Sequence, residues 1–326
     1  MTLSHDPEVL ATLMAAPPPP GPAPAVGDVE TRRRTATVNF DRIAAGFPAV
    51  EGVEVDHHVL TADDGTRLSL WWYRPGSRAQ AGGGALYLHG GGMILDLEHV
   101  GRGYDAAVRN YVALSAVPML VVDYRAAPEH PHPTPVEDCY AALRWLGERA
   151  ADLGVDARRL AVVGDSAGGG LAAATALLAR DRGGPALALQ LLIYPMLDDR
   201  TTVPDPQIPT EGMVWTYEDN VTGWRALLGE RAGGPEVPSY AAPAREPDLT
   251  GLPPAYLDTG DLDIFRAEVT TYAARLAAAG VPTELHVYPG CPHGFELLAP
   301  SAAVSHRAIE NRVRRLRELL EPVSAD

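Results

Sequence analysis

The sequence predicts an α/β protein built on one mostly parallel sheet of about eight strands, with helices on both faces and a smaller helical element laid over it. Three observations carry this. Short apolar runs recur at residues 85–89, 119–124, 160–164 and 188–195, and they are continuous rather than alternating, as strands covered on both faces are. Helical spacing separates or follows them, with Val136, Tyr140, Leu143 and Leu146 on one stripe and Ile309, Val313, Leu316 and Leu320 on another. The chain is 326 residues long with 46% hydrophobic and 21% charged residues, which suits one large globular domain or two smaller ones.

Taken in order, residues 15–27 are too rich in Pro for a helix, because each Pro removes an N–H donor and fixes φ. Residues 1–50 therefore read as an appended arm, with an extended linker inside it and an apolar patch at helical spacing in Val9, Leu10, Leu13 and Met14. Residues 51–326 read as the main domain. It opens with two β-rich runs around Asp64-Gly65, a dipeptide suited to a tight hairpin. The four apolar strands follow. Two more strands, at 255–259 and 283–289, flank a helix over 266–279 that stops at Gly280. Between Pro195 and Pro253 the strand-helix rhythm lapses, and residues 200–232, with Trp215 and Trp224, read as a cap inserted in the sheet domain.

Charge narrows the chemistry. The net charge is −15 and the chain has no Lys, which excludes Schiff-base and pyridoxal-phosphate enzymes and Walker-A phosphate loops. An acidic surface also argues against nucleic acid, and Arg32-Arg33-Arg34 does not reverse that. Two cysteines, Cys139 and Cys291, make no disulfide framework, and with no signal-like start and no long apolar run the expected setting is cytoplasmic, off the membrane.

The strongest motif is Gly164-Asp165-Ser166-Ala167-Gly168, set between a strand and a helical run. Gly-x-Ser-x-Gly at such a junction forms a sharp elbow that lifts the Ser166 hydroxyl above the sheet, with helix N–H groups aimed at developing negative charge. His89-Gly90-Gly91-Gly92 follows the strand at 85–88, and a glycine run lets backbone N–H groups approach an oxyanion unobstructed. A serine nucleophile needs a base, and downstream only His286, His293 and His306 are available. His286 lies inside a strand and His306 on an amphipathic helix, whereas His293 sits in a Pro/Gly loop free to reach the elbow. The supporting acid should follow the strand at 255–259. Asp258 is interior to that strand, and pattern alone does not separate Asp261 from Asp263. His130 and His132 have a metal-like spacing, but each precedes a Pro and reads as part of a rigid turn. Asp165 reads as a loop-orienting group and Arg125 as a buried structural charge.

Together these residues resemble the hormone-sensitive-lipase-like branch of the α/β hydrolases, the bacterial family IV esterases. The match runs over most of 55–300 through His89-Gly90-Gly91-Gly92, Asp123-Tyr124-Arg125 with Ala127-Pro128-Glu129, Gly164 to Gly169, Tyr194-Pro195, Asp261-Leu262-Asp263 and His293-Gly294-Phe295. The resemblance implies the α/β-hydrolase fold and a triad of Ser166, Asp263 and His293. Asp263 is preferred although Ile264-Phe265 stands where the family usually has Pro-Leu. It also implies oxyanion donors at the N–H groups of Gly91, Gly92 and Ala167, and a cap formed by the arm and the later excursion. The expected activity is hydrolysis of short to medium acyl esters through an acyl-serine, with no cofactor and no metal. The expected partner is a small-molecule ester, with a homodimer left open. Amide or lactone hydrolysis, or ligand reception on the same fold, are the rival readings.

Overall fold

The structure, a computed structural model, describes residues 3–17, 23–76 and 82–321. Two helices come first, α1 (Pro7–Ala15) and α2 (Val29–Gly46). The hairpin strands β1 (Val53–Thr61) and β2 (Arg67–Pro75) follow, then β3 (Gly84–Leu88), α3 (Leu97–Ser115), β4 (Met119–Val122), α4 (Thr134–Leu153), β5 (Leu160–Asp165), α5 (Ala167–Arg182) and β6 (Leu187–Ile193). After a long excursion that holds α6 (Tyr217–Leu228) come β7 (Ala255–Gly260), α7 (Arg266–Ala278), β8 (Thr283–Tyr288), the short α8 (Phe295–Leu298) and α9 (Ala303–Arg317).

The eight strands form one sheet in the order β1-β2-β4-β3-β5-β6-β7-β8. Only the β1/β2 and β2/β4 pairs are antiparallel; from β4 to β8 every pair is parallel. The hairpin turns where Asp64-Gly65 predicts it: Gly65 has φ +86°, and the Thr66 N–H donates to Asp64 Oδ1 at 2.9 Å. Strands β3, β4, β5 and β7 are buried along their whole length. Their alternate residues feed two cores, Leu86, Leu88, Val162 and Leu192 on one face, Ala85, Tyr87, Val163 and Leu191 on the other. This explains why continuous apolar runs rather than alternating ones mark the strands.

The arm holds a helix where Val9, Leu10, Leu13 and Met14 show helical spacing, and a second helix, α2, that the sequence reading did not anticipate. Asp6 caps α1 by accepting from the N–H groups of Glu8 and Val9, with Pro7 in the first turn, where its missing N–H costs nothing. Asp28 caps α2 by accepting from the Thr31 N–H at 3.0 Å. Each cap stands directly before its helix, and both helices lie almost wholly outside the Pro-rich residues 15–27, of which 18–22 fall outside the described residues. Of the apolar patch, Val9 is buried against Tyr288, Cys291 and Phe295 while Met14 is exposed. The run Arg32-Arg33-Arg34 supplies clasps: Arg32 donates to Asp219 of α6 at 2.8 Å, and Arg33 donates to Glu129 and to the carbonyls of Ile94 and Ala127. No helix among the described residues is long and apolar enough to cross a membrane.

Candidate active site

The site is centred where β5 meets α5. Ser166 sits between them with φ +56° and ψ −122°, a conformation that a residue with a side chain seldom adopts. Its neighbours make that turn feasible. A Cβ on Gly164 would lie 2.2 Å from the Gly168 carbonyl oxygen, and one on Gly168 would lie 2.0 Å from that of Leu88. Small residues therefore let the first turn of α5 close onto the strand ends. The Ser166 N–H is taken up by the Ile193 carbonyl at 2.9 Å, which anchors the turn to β6.

His293 follows β8. Its Nε2 lies 2.9 Å from Ser166 Oγ, and its Nδ1 lies 2.7 Å from Asp263 Oδ2. An ionised carboxylate only accepts, so Nδ1 carries the proton and Nε2 is left to accept from the serine hydroxyl. Asp263 is held in turn by the Phe265 N–H on Oδ1 at 2.9 Å, and it is buried. Asp261 points elsewhere: its Oδ1 accepts from the Gly290 N–H at 2.7 Å and so ties down the loop that carries His293. Its burial pushes its carboxyl above the usual range. Geometry thus separates the two carboxylates that pattern left open. Asp258, interior to β7, pairs with Arg312.

The other flank is the glycine loop after β3. Gly91 and Gly92 have φ +132° and +59°. A Cβ on Gly92 would lie 2.2 Å from the Trp215 ring, so the excursion between β6 and β7 lies directly on this loop. The N–H groups of Ile94 and Leu95 both donate to the Gly91 carbonyl, which folds the loop into a tight turn. Tyr124 donates to the His89 carbonyl at 2.7 Å and stacks on its ring at 4.3 Å. Burial lowers His89 to about 4, so that ring is a neutral structural group. Ala167 is the first residue of α5, where helix geometry leaves the N–H without an intrahelical acceptor.

The sequence reading named Tyr194 only as part of a motif and did not single out Tyr111, Glu296 or Arg312, which support the site. Tyr194 has φ +32° and sets its ring against the His293 imidazole at 4.7 Å, beside Phe265 at 5.2 Å and Trp215 at 6.5 Å. The Tyr194 hydroxyl donates to Glu296, and Arg312, fully buried on α9, donates to Glu296, to both oxygens of Asp258 and to the Tyr111 hydroxyl. One signal was present: Arg312 falls on the apolar stripe with Ile309 and Leu316, and a charge on such a stripe asks for buried partners. The remaining candidates are drawn elsewhere. His286 is half-buried beside Glu284, His306 is exposed, and Arg125 is paired with Asp138 and Asp64. His130 and His132 stand with no metal-like cluster among the described residues. Cys139 and Cys291 are both buried free thiols.

Comparison with known proteins bears on this geometry. Residues 85–297 match the family with the α/β hydrolase fold. The chain is similar to Carboxylesterase NlhH of Mycobacterium tuberculosis, 40% identical over 228 residues, 67% of this chain and 69% of that protein. It is also similar to ethyl acetate hydrolase of Pseudomonas putida, 36% identical over 72% of this chain and 74% of that protein. Among solved structures, a bacterial heroin esterase superposes with a TM-score of 0.87 at 36% identity, covering 98% of this chain and 99% of the other. A hyperthermophilic esterase from the archaeon Pyrobaculum calidifontis superposes with 0.81 at 29% identity, covering 97% and 99%.

Proposed function

Because this chain belongs to the hormone-sensitive-lipase-like branch of the α/β hydrolases, we propose that it is a serine carboxylic-ester hydrolase in which Ser166, His293 and Asp263 are the catalytic triad. The observation that carries this is the unbroken contact chain, 2.9 Å from Ser166 Oγ to His293 Nε2 and 2.7 Å from His293 Nδ1 to Asp263. Nε2 takes the hydroxyl proton as Oγ attacks the ester carbonyl carbon. Asp263 holds the ring in the tautomer that can do so and stabilises the imidazolium that results. The N–H groups of Gly91, Gly92 and Ala167 receive the oxyanion. The tetrahedral intermediate collapses as the imidazolium gives its proton to the departing alcohol oxygen, leaving an acyl-serine. Water, activated by the same Nε2, then repeats the sequence and releases the acid.

The preferred acyl groups are short to medium. Trp215 lies against the glycine loop and near His293, so the space beside the oxyanion donors is walled by the cap, and the likeness to an ethyl acetate hydrolase agrees with a small acyl group. Residues 1–50 act as an arm that contributes to the cap with 200–232, clasped by Arg32 to Asp219. The enzyme works in the cytoplasm and needs no metal or cofactor. A panel of p-nitrophenyl esters of increasing acyl length, run beside organophosphonate labelling, tests the proposal. Turnover with the covalent label on Ser166 is the expected result, and a label on Cys291 or no turnover on any ester overturns it.

A further inference from the structure

Asp165, beside the nucleophile, has no place in the mechanism above, yet it is a buried carboxylate with two phenol donors. Tyr87 donates to its Oδ1 at 3.0 Å and Tyr104 to its Oδ2 at 2.5 Å. Tyr104 is the informative one. Its hydroxyl also accepts from the N–H of Gly90 at 2.7 Å, so a single phenol bridges the elbow to the first glycine of the oxyanion loop. Gly90 fits this bridge through what it lacks: a Cβ there would lie 2.6 Å from both the Tyr104 hydroxyl and Asp165 Oδ2. Burial raises the Tyr104 phenol well above its ordinary range, so the bridge stays a neutral donor and acceptor.

The arm holds this bridge from outside. Phe40 of α2 stacks on the Tyr104 ring, centroids 5.4 Å apart and planes 25° from parallel, and it lies so close to Gly103 that a Cβ there would meet its ring at 2.6 Å. Arg33 of the same helix donates to the Ile94 carbonyl at 2.9 Å, and to that of Ala127, whose N–H donates to Met93. One helix of the arm therefore grips the glycine loop at both ends.

We infer that Tyr104 is a positioning residue that sets the oxyanion loop against the elbow through Gly90 and Asp165, and that α2 of the N-terminal arm holds it in place. The inference rests on reading Gly91 and Gly92 as oxyanion donors. It differs from a cap role: loosening the bridge misplaces donors needed in the transition state and leaves substrate binding alone, and donor displacement of about 1 Å can cost ~100-fold.

The experiment compares Tyr104→Phe with Tyr87→Phe. Both remove one buried hydroxyl from Asp165, but only the first breaks the link to Gly90. Tyr104→Phe should lower kcat about 10- to 100-fold with KM within about twofold, and weaken binding of an alkylboronic acid by the same factor. In that adduct boron takes the Oγ electron pair while the hydroxyl proton passes to His293. Tyr87→Phe should cost less than about threefold in kcat. Equal losses in the two variants, or a loss confined to KM with boronate affinity intact, overturn the inference. Should Tyr104→Phe fail to fold, Phe40→Leu unloads the phenol while keeping its hydroxyl. A severalfold fall in kcat at constant KM is then expected, and wild-type kcat overturns the role of α2. Organophosphonate labelling of the wild type separates the two levels. No label on Ser166 removes the reading of the site itself, whereas a labelled Ser166 with an unimpaired Tyr104→Phe removes only the role of Tyr104.

Discussion

The two flanks of Ser166 are secured by different physics. On the imidazole flank, Tyr194 and Glu296 lead to Arg312, a fully buried guanidinium shared with Asp258, so full charges taken out of water hold the ring's surroundings. On the oxyanion flank the supports are phenols on Asp165, a stacked Phe40 and the partly exposed guanidinium of Arg33, which is shared between main-chain carbonyls and the exposed Glu129. Removing one partner of a buried ion pair strands the other charge, whereas removing a phenol leaves a carboxylate that still has a second donor. Losing a support behind the imidazole should therefore show chiefly as lost stability, and losing a phenol on the oxyanion flank chiefly as lost catalysis.

Ser166 is common to both flanks and gives the reference. Ser166→Ala should lower kcat by on the order of 10^6-fold without changing Tm, measured by ester hydrolysis beside thermal melting, because it removes the nucleophile and leaves the packing. Residual turnover near wild type would place the nucleophile elsewhere. On the imidazole flank, Asp263→Asn should cost about 10^4-fold in kcat by favouring the wrong tautomer of His293. Asp261→Asn, which only loosens Gly290, should cost under about tenfold, and the reverse order would hand the acid's role to Asp261.

Arg312→Met sharpens the contrast in stability. It leaves Asp258 and Glu296 buried without their cation, and about 3–5 kcal/mol of stability should be lost by denaturant melts. A loss under about 1 kcal/mol would show that the pair is not what holds this flank.

A further effect is one of pH. Burial holds Asp165 up to about 6, against 3.8 for the ordinary carboxyl. Between those values the folded chain keeps a proton that the unfolded chain has released, so this group's contribution to stability is present at low pH and is lost as pH rises toward 6. Tm of the wild type relative to Asp165→Asn should accordingly fall from pH 4 to pH 6 and level off above. A flat difference would mean that the carboxylate is not held at an elevated value.

Much of this was legible in the sequence because it rests on local rules. Continuous apolar runs named the buried strands, Asp64-Gly65 named the hairpin, and small residues around Ser166 named the elbow, since a backbone at φ +56° tolerates little beside it. Glycine and histidine motifs then listed the candidate groups, while chain order with family resemblance ranked the acids. The arm was legible only in part. The apolar spacing of Val9, Leu10, Leu13 and Met14 pointed to α1, whereas α2 was not read as a helix: its cap, Asp28, is a single residue and its cover comes from α3 and α8, far along the chain.

What the chain alone determined is thus the set of candidate site residues and the strands beneath them, because spacing, turn chemistry and burial pattern act over a few residues. Only the tertiary structure decided which partners hold them. That Tyr104 joins Gly90 to Asp165, that Arg312 lies behind Tyr194, and that Asp261 ties down the loop of His293 through Gly290 all depend on distances between elements. A hydrogen bond or ion pair forms within about 3 Å whatever the separation in sequence, and no local pattern records such a meeting.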